Sequence, residues 1–102
     1  MYADCAYNNA MNFEWDEDKR QANLQKHGLD FRDAQLVFND DAFVIEDPHN
    51  DYDEVRYILQ GMLEQYIVSV VFTMPDDEII RIISMRKANK REQEGYVKKR
   101  FG

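Results

Sequence analysis

The sequence predicts an α+β fold, an antiparallel sheet with two N-terminal helices packed on it and a basic helix at the C-terminus. Three observations carry that reading. After one short strand, apolar residues recur at helical spacing as far as Phe38. From Ala42 to Ser84 the period drops to that of strands, with β-branched and aromatic residues between turn signals. Beyond Ser84 the chain becomes polar, basic and helical. The predicted order is β-α-α-β-β-β-β-α, without internal repeat or low-complexity linker.

Each element has a local reason. Residues 1 to 10 show no clear period and read as a loose extension, so a single domain is expected over residues 11 to 102, with Met11 a candidate functional start. Asn12-Phe-Glu-Trp15 alternates polar and apolar side chains, as a half-buried strand does. Asp16 is a good N-cap with acids in the following turn, and Gly28 suits the left-handed residue that ends a helix, which sets the first helix at Asp16 to about His27. Asp30 caps a second helix bearing Phe31, Ala34, Val37 and Phe38 on one face. Ala42 to Asp47 reads as a strand ending at Pro48, followed by an acidic loop, His49 to Asp53, and a strand from Val55 to Gln60. A turn over Gly61 to Glu64 leads to Tyr66–Thr73, nearly continuously apolar as a central strand would be. Pro75-Asp-Asp then turns the chain into a last strand, Glu78 to Ser84. The closing helix covers Asn89 to Arg100.

Composition narrows the function. With 102 residues, 44% of them hydrophobic and 13% aromatic, the chain can offset its ordering entropy with one core. No apolar stretch approaches the roughly 18 residues a membrane helix needs, and no signal segment opens the chain, so a soluble, cytoplasmic protein is expected. Cys5 is the one cysteine and has no activating motif beside it. Charge is distributed unevenly. Residues 1 to 80 hold 5 Lys and Arg against 18 Asp and Glu, net −13, whereas residues 81 to 102 hold 8 against 2, net +6. The overall −7 argues against broad nucleic-acid binding, so any contact with RNA must be local to the basic segment.

Several residues in that setting could carry chemistry. Lys19, Asn23, Lys26 and His27 share one face of the first helix; they form either its wet side or a polar site. His27 is the best acid/base candidate, since imidazole exchanges protons near neutrality, and Lys26 stands beside it. His49 reads as a solvated turn residue, and a metal site from Asp47, His49, Asp51 and Asp53 matches no ligand motif; no metal or other cofactor is expected. On the last strand strict alternation sends Arg81 and Met85 to one face and Ser84 and Arg86 to the other. An arginine among isoleucines must stand at an open face or be paired with a carboxylate, and the same holds for Arg56. Guanidinium groups clamp phosphates bidentately and stabilise the extra charge of a phosphoryl transition state. Tyr96 could stack on a base or anchor the terminal helix in the core.

Taken together, these residues resemble the BrnT family, the toxin half of a bacterial type II toxin–antitoxin pair. The similarity rests on Phe13-Glu-Trp-Asp16, Lys19, Asn23, Lys26-His27-Gly28, Phe31, Ala34 and Phe38, then on Arg56 and Gly61, and on Arg81-Ile-Ile-Ser84 with Arg86, Ala88, Glu92 and Tyr96. It covers about Asn12 to Tyr96. The resemblance implies a RelE-like ribonuclease fold, metal-independent endoribonuclease activity that inhibits translation, and neutralisation by a BrnA-like antitoxin through which alone DNA would be bound. It also implies a homodimer within a toxin–antitoxin heterotetramer. The expected site is His27 or Lys26 as base or acid, Arg56, Arg81 and Arg86 as phosphate clamps, and Ser84 and Tyr96 as orienting groups. The alternative is a noncatalytic module that binds the antitoxin and modulates its DNA binding.

Overall fold

A computed structural model of the chain describes residues 11–48 and 54–102. The extension over residues 1 to 10, with Cys5, and the loop from His49 to Asp53 lie outside the described residues. The elements are β1 (Asn12–Trp15), α1 (Glu17–His27), a 3-10 helix (Phe31–Val37), β2 (Phe43–Glu46), β3 (Arg56–Leu63), β4 (Tyr66–Asp76), β5 (Ile79–Lys87) and α2 (Lys90–Phe101). Among the described residues no helix is long and apolar enough to cross a membrane.

The strands form one five-stranded sheet in the order β1-β5-β4-β3-β2. The expectation of a purely antiparallel sheet is corrected at one edge. β2 to β5 pair antiparallel, but β1 runs parallel to β5, with Phe13 opposite Ile80 and Trp15 opposite Ile82. The first and last strands meet because α1 and the 3-10 helix carry the chain away after β1, leaving the β5 edge open to it.

The second helix is 3-10 rather than α. Its buried residues Phe31, Ala34 and Val37 are spaced by three, which at 3.0 residues per turn places them in one row. Asp30 caps it as expected, accepting from Arg32 N at 2.9 Å. Two expected turns also belong to strands. Gly61 pairs with Val68 inside β3, and the turn falls on Glu64 and Gln65, with Glu64 at φ 55°. Gly61 is needed for close approach: a Cβ there would lie 2.7 Å from Val37 Cγ1, so the absent side chain lets the 3-10 helix rest on the sheet. Pro75 sits within β4 where the register with β5 slips between Thr73 and Asp76, a place where a missing N–H is tolerated.

The core lies on the sheet face covered by α1 and the 3-10 helix, whereas α2 packs on the opposite face, where Tyr96 meets Phe43. Leu59, Val68, Val70, Phe72, Ile80, Ile82 and Met85 point into it and meet Leu29, Phe31, Ala34, Val37 and Phe38. Phe38 links two strands, making edge contacts at 5.1 Å with Phe13 of β1 and with Phe72 of β4.

α1 enters this arrangement by polar contacts. Its buried residues are Arg20 and Asn23, not an apolar stripe. The Asn23 carboxamide accepts from Met85 N at 3.1 Å and donates to Met85 O at 2.8 Å and Leu29 O at 3.1 Å. It thus satisfies the edge of β5 beyond the point where β1 ends, as a next strand would. Arg20 ties the helix start to the 3-10 cap through Glu17 at 2.6 Å and Asp30 at 3.0 Å. That pairing holds the Glu17 carboxyl down at about 2 and raises Arg20, while the Arg32 backbone and Arg20 lower Asp30.

Candidate active site

One irregularity in β5 decides which side chains share the second face of the sheet. Ile82 pairs with Phe72 and Ser84 with the adjoining Val71, so Ile83 is an extra residue without a partner, a β-bulge. Up to Ile82 the even-numbered residues face the core; beyond the bulge Met85 does. Arg81, Ser84 and Arg86 therefore lie on one face, opposite the core, where strict alternation had separated Arg81 from the other two. Arg86 is registered against Ser69, Ser84 against Val71 and Arg81 against Thr73.

Cross-strand pairing extends this set into a row. Arg56 of β3 stands opposite Thr73 of β4, Thr73 opposite Arg81 of β5, and Arg81 opposite Glu14 of β1. At about 4.8 Å between strands, Arg56 and Arg81 flank Thr73 roughly 10 Å apart, a span suited to a phosphodiester and its neighbour. The Thr73 hydroxyl is buried and has no hydrogen-bond partner among the described residues. Arg81 Nε donates to Glu14 Oε2 at 2.6 Å, and both side chains are 43% exposed. The two terminal amino groups of Arg81 make no hydrogen bond to a described residue, so they can meet an incoming anion.

The pair also shows what sequence reasoning missed. Glu14 brings a carboxylate to the row and Thr73 a hydroxyl at its centre. The alternation of Phe13-Glu-Trp15 turns Glu14 away from the core, which is the available signal. Its meeting with Arg81 depends on a pairing across 67 residues.

Arg86 is engaged differently. Its guanidinium forms two hydrogen bonds to Glu92, at 2.7 and 2.8 Å, raising Arg86 and lowering Glu92. Glu92 also closes the capping box of α2, accepting from Asn89 N at 2.9 Å while Asn89 accepts from Glu92 N. Arg86 thus docks the basic helix onto the sheet. Tyr96 anchors the same helix: its ring is buried against Phe43 and its hydroxyl donates to Asp41 O at 3.0 Å. That contact corresponds to the core-anchor alternative, not to an orienting group exposed to substrate.

The two remaining candidates are separated by the rotation of α1. With Asn23 turned to β5 and successive residues 100° apart, Arg20 and His27 fall on one flank and Lys19 and Lys26 on the other. Arg20 reaches Asp30, so the His27 flank is the one beside the core layer. There His27 lines a groove of about 480 Å³ with Leu24, Asp33, Leu36, Leu63, Tyr66 and Lys87. Lys26 is exposed on the opposite flank. The structure therefore brings Arg56, Arg81, Ser84 and Arg86 together and sets His27 apart from them. Of the residues considered for a metal, only Asp47 is described.

The fold and this face define a small mixed-sheet α+β domain whose face opposite the core, partly covered by α2, gathers arginines suited to a polyanion. Residues 15–92 match the family model described as the ribonuclease toxin, BrnT, of type II toxin–antitoxin systems. The structure is similar to the crystal structure of the Brucella abortus ribonuclease toxin BrnT, with 36% sequence identity, a TM-score of 0.66 and coverage of 78% of this chain and 99% of that one. No curated protein matches. The chain belongs to the BrnT family. It is a ribonuclease toxin of a type II toxin–antitoxin system, with RNA as its target and an antitoxin as its partner.

Proposed function

We propose that this toxin cuts RNA internally and without a metal ion, on the sheet face opposite the core, by directing the RNA's own 2′-hydroxyl at the adjacent phosphorus. The bulge at Ile83, which gathers Arg81, Ser84 and Arg86 beside Arg56, is the observation that carries the reading. Glu14 takes the proton of the 2′-hydroxyl as its oxygen attacks phosphorus. The terminal amino groups of Arg81, with Arg56 across Thr73, stabilise the charge on the non-bridging oxygens. Ser84 orients the phosphate, and Arg86 holds the face together with α2. The P–O5′ bond breaks and Lys26 supplies the proton to the leaving oxygen, giving a 2′,3′-cyclic phosphate and a 5′-hydroxyl. Cleavage of messenger RNA slows translation. A BrnA-like antitoxin that covers this face silences it. A RelE-like ancestry for the fold belongs to the same reading.

A second reading moves proton transfer to the groove of His27, where Lys87 supplies a cation. One experiment separates the two: partner-free protein and a long single-stranded RNA in excess EDTA, with end-group analysis. Arg81→Ala is expected to lower cleavage ~10² to 10³-fold, and Glu14→Gln to lower it while RNA binding persists. His27→Ala is expected to retain cleavage. Loss in His27→Ala with retention in Glu14→Gln would transfer the chemistry to the groove, and activity abolished by EDTA would overturn the metal-independent mechanism.

A further inference from the structure

We propose that β2 pairs with β2 of a second copy of this chain, joining two sheets into one across a two-fold axis. β2 ends the sheet order, and among the described residues no strand covers its outer edge. Its middle residues are apolar and exposed on both faces, Val44 by 50% and Ile45 by 51%. An apolar edge of this kind, without lysine or proline inside it, is a template for another strand.

The ladder specifies the register. Asp47 N donates inward to Arg56 O at 2.8 Å, so by antiparallel alternation the N–H and C=O groups of Val44 and Glu46 point outward. A two-fold axis normal to the sheet keeps each helix layer on its own side and opposes residues of like face. Centred on Ile45, it sets Val44 of one copy against Glu46 of the other, twice, and each such pair exchanges both backbone hydrogen bonds. The same register brings Asp47 of one copy opposite Phe43 of the other.

Charge favours that occupant. The Phe43 end of β2 lies beside the basic end of α2: Lys99 Nζ is 5.7 Å from the Phe43 ring centroid, and Arg100 pairs with Asp41 at 2.9 Å. The other end of β2 carries Glu46 and Asp47. Antiparallel self-pairing therefore joins each acidic end to a basic one, twice, whereas parallel pairing would place like ends together. Phe101, 76% exposed, stands at the end of the same helix. A four-residue strand falls short of the ~800 Å² per partner of a standard interface, so the pairing is expected in the micromolar range.

The test is sedimentation of the partner-free protein from about 1 to about 200 µM, with backbone amide exchange followed by NMR. A concentration-dependent rise to twice the chain mass is expected, with the Val44 and Glu46 amides gaining protection together. Val44→Lys should weaken association at least ~10-fold at an unchanged melting temperature, since the side chain is exposed and on an edge. Glu46→Lys and Lys99→Glu should each weaken it, and the double variant should recover most of the loss. Leu36→Lys, on the opposite layer, should leave it unchanged. A single-chain mass throughout the range, or association equal to wild type in Val44→Lys, would overturn the proposal.

Discussion

The two faces of this sheet are built on opposite terms. The helix-covered face is apolar and redundant, with Leu59, Val70, Ile82 and Met85 contributing similar burial and no one of them specifying a direction. The opposite face, partly covered by α2, holds few polar groups, each fixed by a particular register or ion pair, as Arg81 is by Glu14 and Arg86 by Glu92. Apart from the α2 contact, which buries Tyr96 on the second face, stability resides chiefly on the core side and chemistry on the other, so substitutions at Leu59 and at Arg81 should affect separate observables. Leu59→Ala is the strongest test on the stability side. Leu59 is 2% exposed at the centre of the core, and truncation there should cost about 2–5 kcal/mol, lowering the melting temperature by ~10 °C or more. Cleavage per folded molecule should stay unchanged. Arg81→Ala should do the reverse, changing stability by under ~1 kcal/mol because its ion pair with Glu14 is half exposed. A parallel fall of both observables in either variant would break the division.

Asn23 tests the seam between the faces. Its carboxamide takes the place of a strand along β5, so Asn23→Ala leaves the buried Met85 N–H and two carbonyls without partners, a loss of about 2–3 kcal/mol. Since α1 then loses its hold on β5, exchange of the Met85 amide should accelerate more than that of Val70, which lies deeper in the sheet. Equal acceleration of both would mean that α1 is held mainly by Arg20.

Acid should act on the ion pairs before it reaches the core. Glu17 is held at about 2 against an ordinary 4.5 chiefly by Arg20, Glu92 is lowered chiefly by Arg86, and Asp30 chiefly by the Arg32 N–H. A depressed carboxyl contributes stability that is present above its unfolded pKa and is lost as pH falls through the folded one. The melting temperature should thus be level above about pH 5 and decline from about 4.5 toward 2. Glu92→Gln should lower the plateau and reduce the slope. Stability that increases on acidification would contradict these pairings.

Much of this division could be read from local sequence, because caps and alternation are local. Asp16, Gly28, Asp30 and Asn89 act at helix ends, the first three where expected, and the hydrophobic periods locate the core face. The site was less legible for two physical reasons. A β-bulge at Ile83 has no marker in Ile82-Ile83-Ser84, yet one unpaired residue changes which of Arg81, Ser84 and Arg86 are neighbours. The parallel pairing of β1 with β5, which delivers Glu14 to Arg81, is non-local and competes with the hairpin pairing that adjacent strands favour. Spacing by three in Phe31, Ala34 and Val37 is compatible with both helix types, so packing against Gly61 had to decide between them.

The smallest expected effect is that of removing the hydroxyl of Tyr96, the one site candidate that the structure buries. Its ring packs edge-on to Phe43 at 5.5 Å and its hydroxyl donates to the Asp41 carbonyl across the chain. Tyr96→Phe keeps the ring contact and removes one hydrogen bond, so about 1 kcal/mol of stability should be lost with cleavage unaltered. Tyr96→Ala also removes the apolar anchor of α2 and should cost about 3–5 kcal/mol. Because Arg86 is tied to that helix through Glu92, loosening α2 should also weaken RNA binding, through the disordering of Arg86. A phenylalanine variant that folds as wild type but fails to cut would return the hydroxyl to the chemistry. The two substitutions together therefore separate an anchor from an orienting group at the residue that holds α2 on the face carrying the arginines.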